Sequence, residues 1–294
     1  MSWRTVIITE RAKLDYRLGY MVVRGNETRK VLIDEIKILL VENPAVSLTG
    51  FLIEALIEKK VKVIFCDSKH NPISEMLPHH GCHDVSAKIR MQMEWSHDIK
   101  ARVWREIVME KIRKQSDLLR DVNRINASEL LDSYISQVEL SDATNREGHA
   151  AKVYFNALFG MKFTRSEESP INAALNYGYS MLLSAFNREI SANGYLTQLG
   201  IFHGNMFNPY NLGCDLMETF RVIVDRYVFE MKPLAFEKEE KHSMWNILDG
   251  TILIDGTRQT VANGIRIYVK SVFDAINDEE TSKIRNYSIV KQEI

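Results

Sequence analysis

The spacing of apolar residues changes period near residue 75, and this change constrains the fold more than any other property of the chain. Before it, apolar residues fall in short β-branched runs: Thr5-Val6-Ile7-Ile8-Thr9, Met21-Val22-Val23, Lys30-Val31-Leu32-Ile33 and Lys37-Ile38-Leu39-Leu40-Val41. Leu18-Gly19 and Gly25-Asn26 supply turn material between them, so the runs read as hairpins or a meander. Segment 47–60 instead sets Leu48, Phe51, Leu52, Ala55 and Leu56 at helical spacing, opened by Ser47 or Thr49. Lys62-Val63-Ile64-Phe65-Cys66 returns to a buried strand. Beyond residue 84 the helical period recurs over 85–95, 98–120, 127–138, 146–158, 172–191, 215–231 and 260–277. The polar stretch between, with Pro72 and Pro78, holds the linker. The expected fold class is α+β: a small β-rich domain over 1–75, a linker over 76–84, and a larger all-α domain over 85–294.

A length of 294 residues is enough for two domains that each bury a core. With 45% hydrophobic and 26% charged residues, collagen-like, mucin-like and wholly disordered classes are excluded. No apolar run reaches the roughly 18 residues of a membrane span, and the opening MSWRTVIITERAK has charges where a signal peptide needs apolar residues. Cys66, Cys82 and Cys214 are dispersed, as a reduced compartment permits, and give no zinc framework. These features point to a cytoplasmic protein without a membrane partner. His79, His80 and His83 cluster in the linker, but only Asp84 is nearby and no second ligand group has zinc spacing. The formal charge of −1 lacks the basic footprint usual for a nucleic-acid partner.

Four segments can carry chemistry. In Cys214-Asp215-Leu216-Met217-Glu218-Thr219-Phe220-Arg221-Val222-Ile223-Val224-Asp225, the charged residues are spaced 3, 3 and 4 among apolar neighbours. On a helix they form one polar stripe along a largely buried face, where ionised groups need a partner or a metal. The same spacing also suits an N-cap Asp215 with Glu218 at N3, followed by an Arg221–Asp225 ion pair. Glu147 opens another amphipathic helix, where the helix dipole alone would favour a carboxylate. His203 lies in a glycine-flanked loop shortly before the acidic helix. Two carboxylates and one imidazole suit Mg²⁺ or Mn²⁺ and leave positions open for water and a phosphate oxygen.

The fourth segment is the long helix over 98–120. Residues 88–124 hold ten Lys or Arg against six Asp or Glu, with Trp95 and Trp104 interleaved. Lys100, Arg102, Arg105, Arg113 and Lys114 are its candidate DNA contacts, although a solvated face with local ion pairs gives the same pattern.

Asn145-Arg146-Glu147-Gly148-His149-Ala150-Ala151, then Asn172-Ala173-Ala174-Leu175-Asn176-Tyr177-Gly178-Tyr179, then His203, then Asp215-Leu216-Met217-Glu218-Thr219-Phe220-Arg221 together resemble one family across essentially the whole chain. It is the CRISPR-associated endonuclease and integrase family "Cas-one", which inserts spacers into CRISPR arrays. Lys62-Val63-Ile64-Phe65-Cys66-Asp67 and His83-Asp84 resemble its type II-A branch. The resemblance implies that Glu147, His203 and Glu218 are the catalytic metal ligands for Mg²⁺ or Mn²⁺. Asp215 matches an assisting acidic position, and Asn145, Tyr154, Asn172, Asn176, Tyr177 and Arg221 match positions around the site. Thr219 and Val222 stand where many relatives have proline, and Glu218 where many have Asp.

The implied reaction is attack by a 3′-hydroxyl of a short protospacer duplex on a phosphodiester of leader–repeat DNA. The implied partners are double-stranded DNA, a second copy in a homodimer formed through the β domain, and a small ferredoxin-fold "Cas-two" protein in a heterohexamer. Other type II-A adaptation proteins complete that set. Two further readings use the same residues: a metal hydrolase of small phosphoesters, disfavoured because no Gly-rich phosphate loop is present, and a catalytically silent DNA-binding scaffold.

Overall fold

The computed structural model describes residues 4–68, 70–76 and 83–289. His79, His80, Cys82 and most of the expected linker lie outside the described residues. The chain divides into two compact units, Met1–Gly81 and Cys82–Ile294.

The first unit holds two four-stranded sheets and a helix. Strands β1 (Arg4–Ile8), β2 (Lys13–Arg17), β3 (Tyr20–Arg24), β4 (Thr28–Leu32), β5 (Ile36–Val41) and β6 (Ser47–Leu48) are followed by α1 (Gly50–Glu58), β7 (Lys62–Cys66) and β8 (Pro72–Met76). The expected meander is present as antiparallel β2, β3 and β4, with β6 added parallel to β2. The other sheet, in the order β1-β5-β7-β8, corrects the hairpin expectation, because β1, β5 and β7 run parallel with Val6 opposite Leu39 and Leu39 opposite Val63. Near-continuous apolar runs such as Ile36–Val41 are what a strand buried on both faces requires, and α1 supplies the crossover from β5 to β7. Leu52 and Leu56 of α1 enter a core with Leu14, Met21, Ile36, Leu39 and Val63, whereas Phe51 points outward.

The second unit is mostly helical: α2 (Val85–Glu94), α3 (His97–Asp121), α4 (Ile125–Ile135), α5 (Arg146–Phe159), α6 (Pro170–Ala192), α7 (Asn211–Leu216), α8 (Arg221–Met231) and α9 (Lys238–Met244). The all-α expectation needs one correction. Strands β9 (Thr251–Ile254) and β10 (Thr257–Thr260) precede α10 (Val261–Asn277), and with β11 (Tyr287–Ile289) they make an antiparallel sheet in the order β10-β9-β11. Asp255 and Gly256, at φ 51° and 73°, form the tight turn between β9 and β10 that an Asp-Gly pair favours.

Helix α3 is the axis of this unit. Its 25 residues span about 37 Å at 1.5 Å per residue, and it packs against α4, α5, α8 and α10. Ser96 caps it by accepting from the Ile99 amide at 3.2 Å. Ile99, Val103, Trp104, Ile107, Val108, Ile112, Leu118 and Leu119 form its buried face, yet Glu110, Lys111 and Lys114 are buried with them. The helix expected over 215–231 is broken: a tighter turn over Glu218–Phe220 separates α7 from α8. It carries Phe220 into an aromatic cluster, with ring centroids 4.6 Å from Tyr287, 5.3 Å from Tyr268 and 5.3 Å from Phe186. Burial of that ring offsets the poorer hydrogen bonding of the turn.

Candidate active site at the α3, α5 and α7–α8 junction

Three elements of the second unit deliver the site. Glu147 sits in the first turn of α5, and Asp142 holds that turn: its carboxylate accepts from the Arg146 amide at 2.8 Å and the Glu147 amide at 3.0 Å. The chain enters through Ser141, Asp142 and Asn145, all at positive φ, a conformation that short polar side chains tolerate. Asn145 is therefore the left-handed entry to the helix, with an exposed side chain that makes no capping bond.

His203 rides on a loop pinned from both sides. Gln92 of α2, buried, donates to the Leu196 and Leu199 carbonyls at 2.9 Å and accepts from the Leu196 amide at 2.8 Å. Phe202 stacks on Trp104 of α3, with centroids 4.5 Å apart and planes 2° from parallel. Asp215 of α7, fully buried, closes the loop from below by accepting from the amides of Ile201 at 2.6 Å, Phe202 at 2.9 Å and His203 at 3.2 Å. A Cβ on Gly200 would lie 2.7 Å from Asp215 Oδ2, so the loop passes this carboxylate only as glycine. Asp215 is thus no N-cap. Its Oδ1 also meets His203 Nδ1, which places the proton on Nδ1 and leaves Nε2 as the free lone pair. That hydrogen bond raises the His203 pKa against the opposing effect of burial, and the charges of Asp215, Glu218 and Glu147 add to it.

Between the two glutamates stands Lys111 of α3. Its Nζ lies 2.5 Å from Glu147 Oε1 and 2.5 Å from Glu218 Oε2. Arg221 holds the other Glu218 oxygen at 2.9 Å, rather than pairing with Asp225. Burial alone would lower the Lys111 pKa, but Glu218 and Glu147 outweigh it and the net shift is upward. For Glu218, burial is outweighed in turn by Lys111 and Arg221, and its carboxyl stays below the usual range. Lys111 and Glu218 each hold the other in its charged form. Among the described residues, no three His, Cys, Asp or Glu side chains are drawn closely enough to hold a metal as they stand; the cation between Glu147 and Glu218 is an ammonium.

Behind Glu218 the polar groups continue. The Arg221 guanidinium lies over the Tyr179 ring at 4.9 Å, and Tyr179 and Tyr154 both donate to Asp225, the latter at 2.9 Å. Burial pushes Asp225 up to about 6 despite those two hydroxyls. Arg165 bonds Asn172 and, at 2.7 Å, Asn176, and lies over Tyr179 at 5.3 Å, so both asparagines reach this network only through it. Tyr177 faces another way and accepts from Trp245 Nε1 at 2.9 Å.

The basic residues of α3 do not form one solvent-facing track. Lys114 is buried, paired with Glu110 at 2.7 Å and set over Tyr287, which corrects its placement among surface DNA contacts. Arg105 donates to the Val138 carbonyl at 2.9 Å, Arg102 pairs with Asp98 at 2.8 Å, and exposed Arg113 pairs with Glu110. Lys100 is half-buried.

Residues 5–264 match the family model for CRISPR associated protein Cas1. The chain belongs to the Cas1 family. A CRISPR-associated endonuclease Cas1 of Neisseria meningitidis serogroup C is 33% identical over 232 residues, 79% of this chain and 76% of that protein. A casposase bound to an integration product shares the fold at a TM-score of 0.76, 17% identity, and coverage of 95% of this chain and 92% of that one. A Cas6-RT-Cas1–Cas2 complex contains a chain of which this one spans only 36%, matching 99% of its own length at a TM-score of 0.71 and 16% identity. Among the described residues, no helix is long and apolar enough to cross a membrane.

The family motifs led to Glu147, His203, Asp215 and Glu218, whereas Lys111, Asp142 and Gln92 escaped the sequence reading. Asp142 was within reach: a carboxylate a few residues before a helical run is a capping signal. Lys111 and Gln92 carried none, because their roles arise from tertiary contacts 36 and 107 residues away in the chain, and from 104.

Proposed function

We propose that this Cas1-family chain is a metal-dependent DNA integrase that inserts short foreign duplexes into a CRISPR array, with Glu147, His203 and Glu218 as its catalytic ligands. One observation carries the reading: Glu147 and Glu218, from separate elements, converge on a single cation position, and both act on the charge of the His203 ring. Two carboxylate oxygens that accept one ammonium, beside an imidazole whose Nδ1 is already committed, are a donor set suited to Mg²⁺ or Mn²⁺. Such an ion, when bound, supplies Lewis-acid polarisation of the phosphodiester and lowers the pKa of an attacking hydroxyl or water.

The rest falls to the chain itself. Asp215 fixes the His203 tautomer and the loop that presents it, Asp142 fixes the turn that presents Glu147, and Lys111 with Arg221 keeps Glu218 ionised within a buried setting. Preorganised groups of this kind pay no reorganisation cost during the reaction. Lys100, Arg102, Arg105 and Arg113 are the remaining α3 candidates for phosphate contact.

The partners of this reading are protospacer and leader–repeat duplex DNA, a second copy of the chain through the β-rich unit, and a small ferredoxin-fold Cas2-type protein in a heterohexamer, in the cytoplasm. The related structures, a casposase bound to an integration product and a Cas6-RT-Cas1–Cas2 complex, support the first and third. Assignment to a type II-A-like branch, with its further adaptation proteins, is supported by the motifs at 62–67 and 83–84.

The deciding assay is strand transfer of a short duplex into a supercoiled plasmid carrying leader and repeat, with and without Mn²⁺ and the small partner. Joining should require the metal and fall by two orders of magnitude or more, roughly, in His203→Ala and Glu218→Ala proteins that fold normally. Unchanged joining by both variants would leave the silent-scaffold reading in its place.

A further inference from the structure

We propose that Lys111 is an internal counter-ion which a divalent cation must displace, so that the site is loaded by cation exchange. The inference rests on the metal reading above and gives a role of its own to Lys111, which that reading uses only to mark the cation position. Lys111 Nζ lies 2.5 Å from one oxygen of Glu147 and 2.5 Å from one oxygen of Glu218, and its side chain is only 9% exposed. A divalent ion such as Mg²⁺ held by the same carboxylates would sit closer to their oxygens than the ammonium does, at about 2.0–2.1 Å. An ammonium kept on those oxygens would stand within a few ångström of the divalent ion, and the repulsion between the two cations opposes holding both.

Neighbouring groups do not offer an alternative exchange. Arg221 holds the far oxygen of Glu218 and Lys114 is paired with Glu110, so among the described residues Lys111 alone bridges the two carboxylates. In the metal-free chain this bridge offsets what would otherwise be a repulsive carboxylate pair with one member buried. The bridge also sets a threshold for loading. Every bound divalent ion has first to break two charge-assisted hydrogen bonds and re-house a buried ammonium.

The test compares Mn²⁺ binding, read as loss of the free-ion EPR signal, in the parent, Lys111→Met and Lys111→Arg proteins. Lys111→Met should bind Mn²⁺ about tenfold more tightly than the parent, and Lys111→Arg, which keeps a competing cation, within about threefold of it. A parent that binds no Mn²⁺ overturns the metal reading, and this inference with it. A parent that binds Mn²⁺ while Lys111→Met binds it equally or more weakly overturns only the counter-ion role.

Lys111→Met also exposes the two carboxylates to each other, so its fold is checked by circular dichroism with and without metal. Folding that is lost in chelator and restored by Mn²⁺ supports the exchange, since the ion then supplies the charge that Lys111 gave. If the variant folds in neither condition, the parent decides alone: the slowly exchanging ¹⁵N–¹H signal of the Lys111 ammonium should move or broaden on Mg²⁺ addition. A signal unchanged at saturating Mg²⁺ overturns the proposal.

Discussion

Asp215 accepts four hydrogen bonds with two oxygens, three from consecutive loop amides and one from His203. An amide in its place has one accepting oxygen and turns an N–H₂ group on the remaining donors. Asp215→Asn should therefore lower the His203 titration midpoint, measured by NMR of the ring Cε1–H, and should reduce strand transfer about 10- to 100-fold through its effect on His203. A midpoint left in place would detach Asp215 from the histidine. Asp225 gives a separate residue-scale outcome. Its folded pKa, about 6, exceeds the ordinary aspartate value of 3.8. Its contribution to stability is thus full below the unfolded value and is lost as pH rises through about 6. Asp225→Asn removes that loss. The stability of the parent relative to the variant should fall by on the order of 1 kcal/mol between pH 5 and pH 7, read from denaturant midpoints.

Among the elements, the turn between α7 and α8 matters most, because Glu218 stands at its start. Tyr287 of β11 donates to the Thr219 carbonyl at 2.9 Å and packs its ring on Phe220. Tyr287→Phe keeps the ring and removes the bond. It should cost about 1 kcal/mol of stability and speed amide exchange over residues 217–221, while α3 exchanges as before. This turn also shows where reading the sequence stops. The long helices were readable because Ile99, Val103, Trp104 and Ile107 repeat at helical spacing, and β5 because its run is apolar on both faces. The break at Glu218 left no such mark: Leu216 to Val224 stays mostly apolar on either side of it, and the ring that packs closest on Phe220 comes from β11, far along the chain. The β9–β10 hairpin did leave a mark in Asp255-Gly256, overlooked within an otherwise helical region. Lys111 resembles any other lysine of an amphipathic helix until α5 and α8 are packed beside it.

For the whole molecule, a formal charge of −1 hides an uneven distribution. Residues 88–124 are net basic, while 201–250 hold five basic against eight acidic residues, among them Asp215 and Glu218. Much of that basic charge is spent internally, on Glu110, Glu147, Asp98 and the Val138 carbonyl. Duplex binding should weaken as salt is raised, with a slope of about 0.9 per phosphate neutralised, and Lys100→Ala should shift it alike for every sequence. Fluorescence anisotropy across a salt series checks both, and a flat response would remove backbone contacts from the DNA reading. The clamp from β11 has one further consequence, for the order of events during synthesis. Tyr287 lies 68 residues beyond Thr219. A nascent chain that has already released α7 and α8 from the ribosome still lacks the residue that fastens the turn of Glu218, so this turn is secured late in translation, after the surrounding helices have formed.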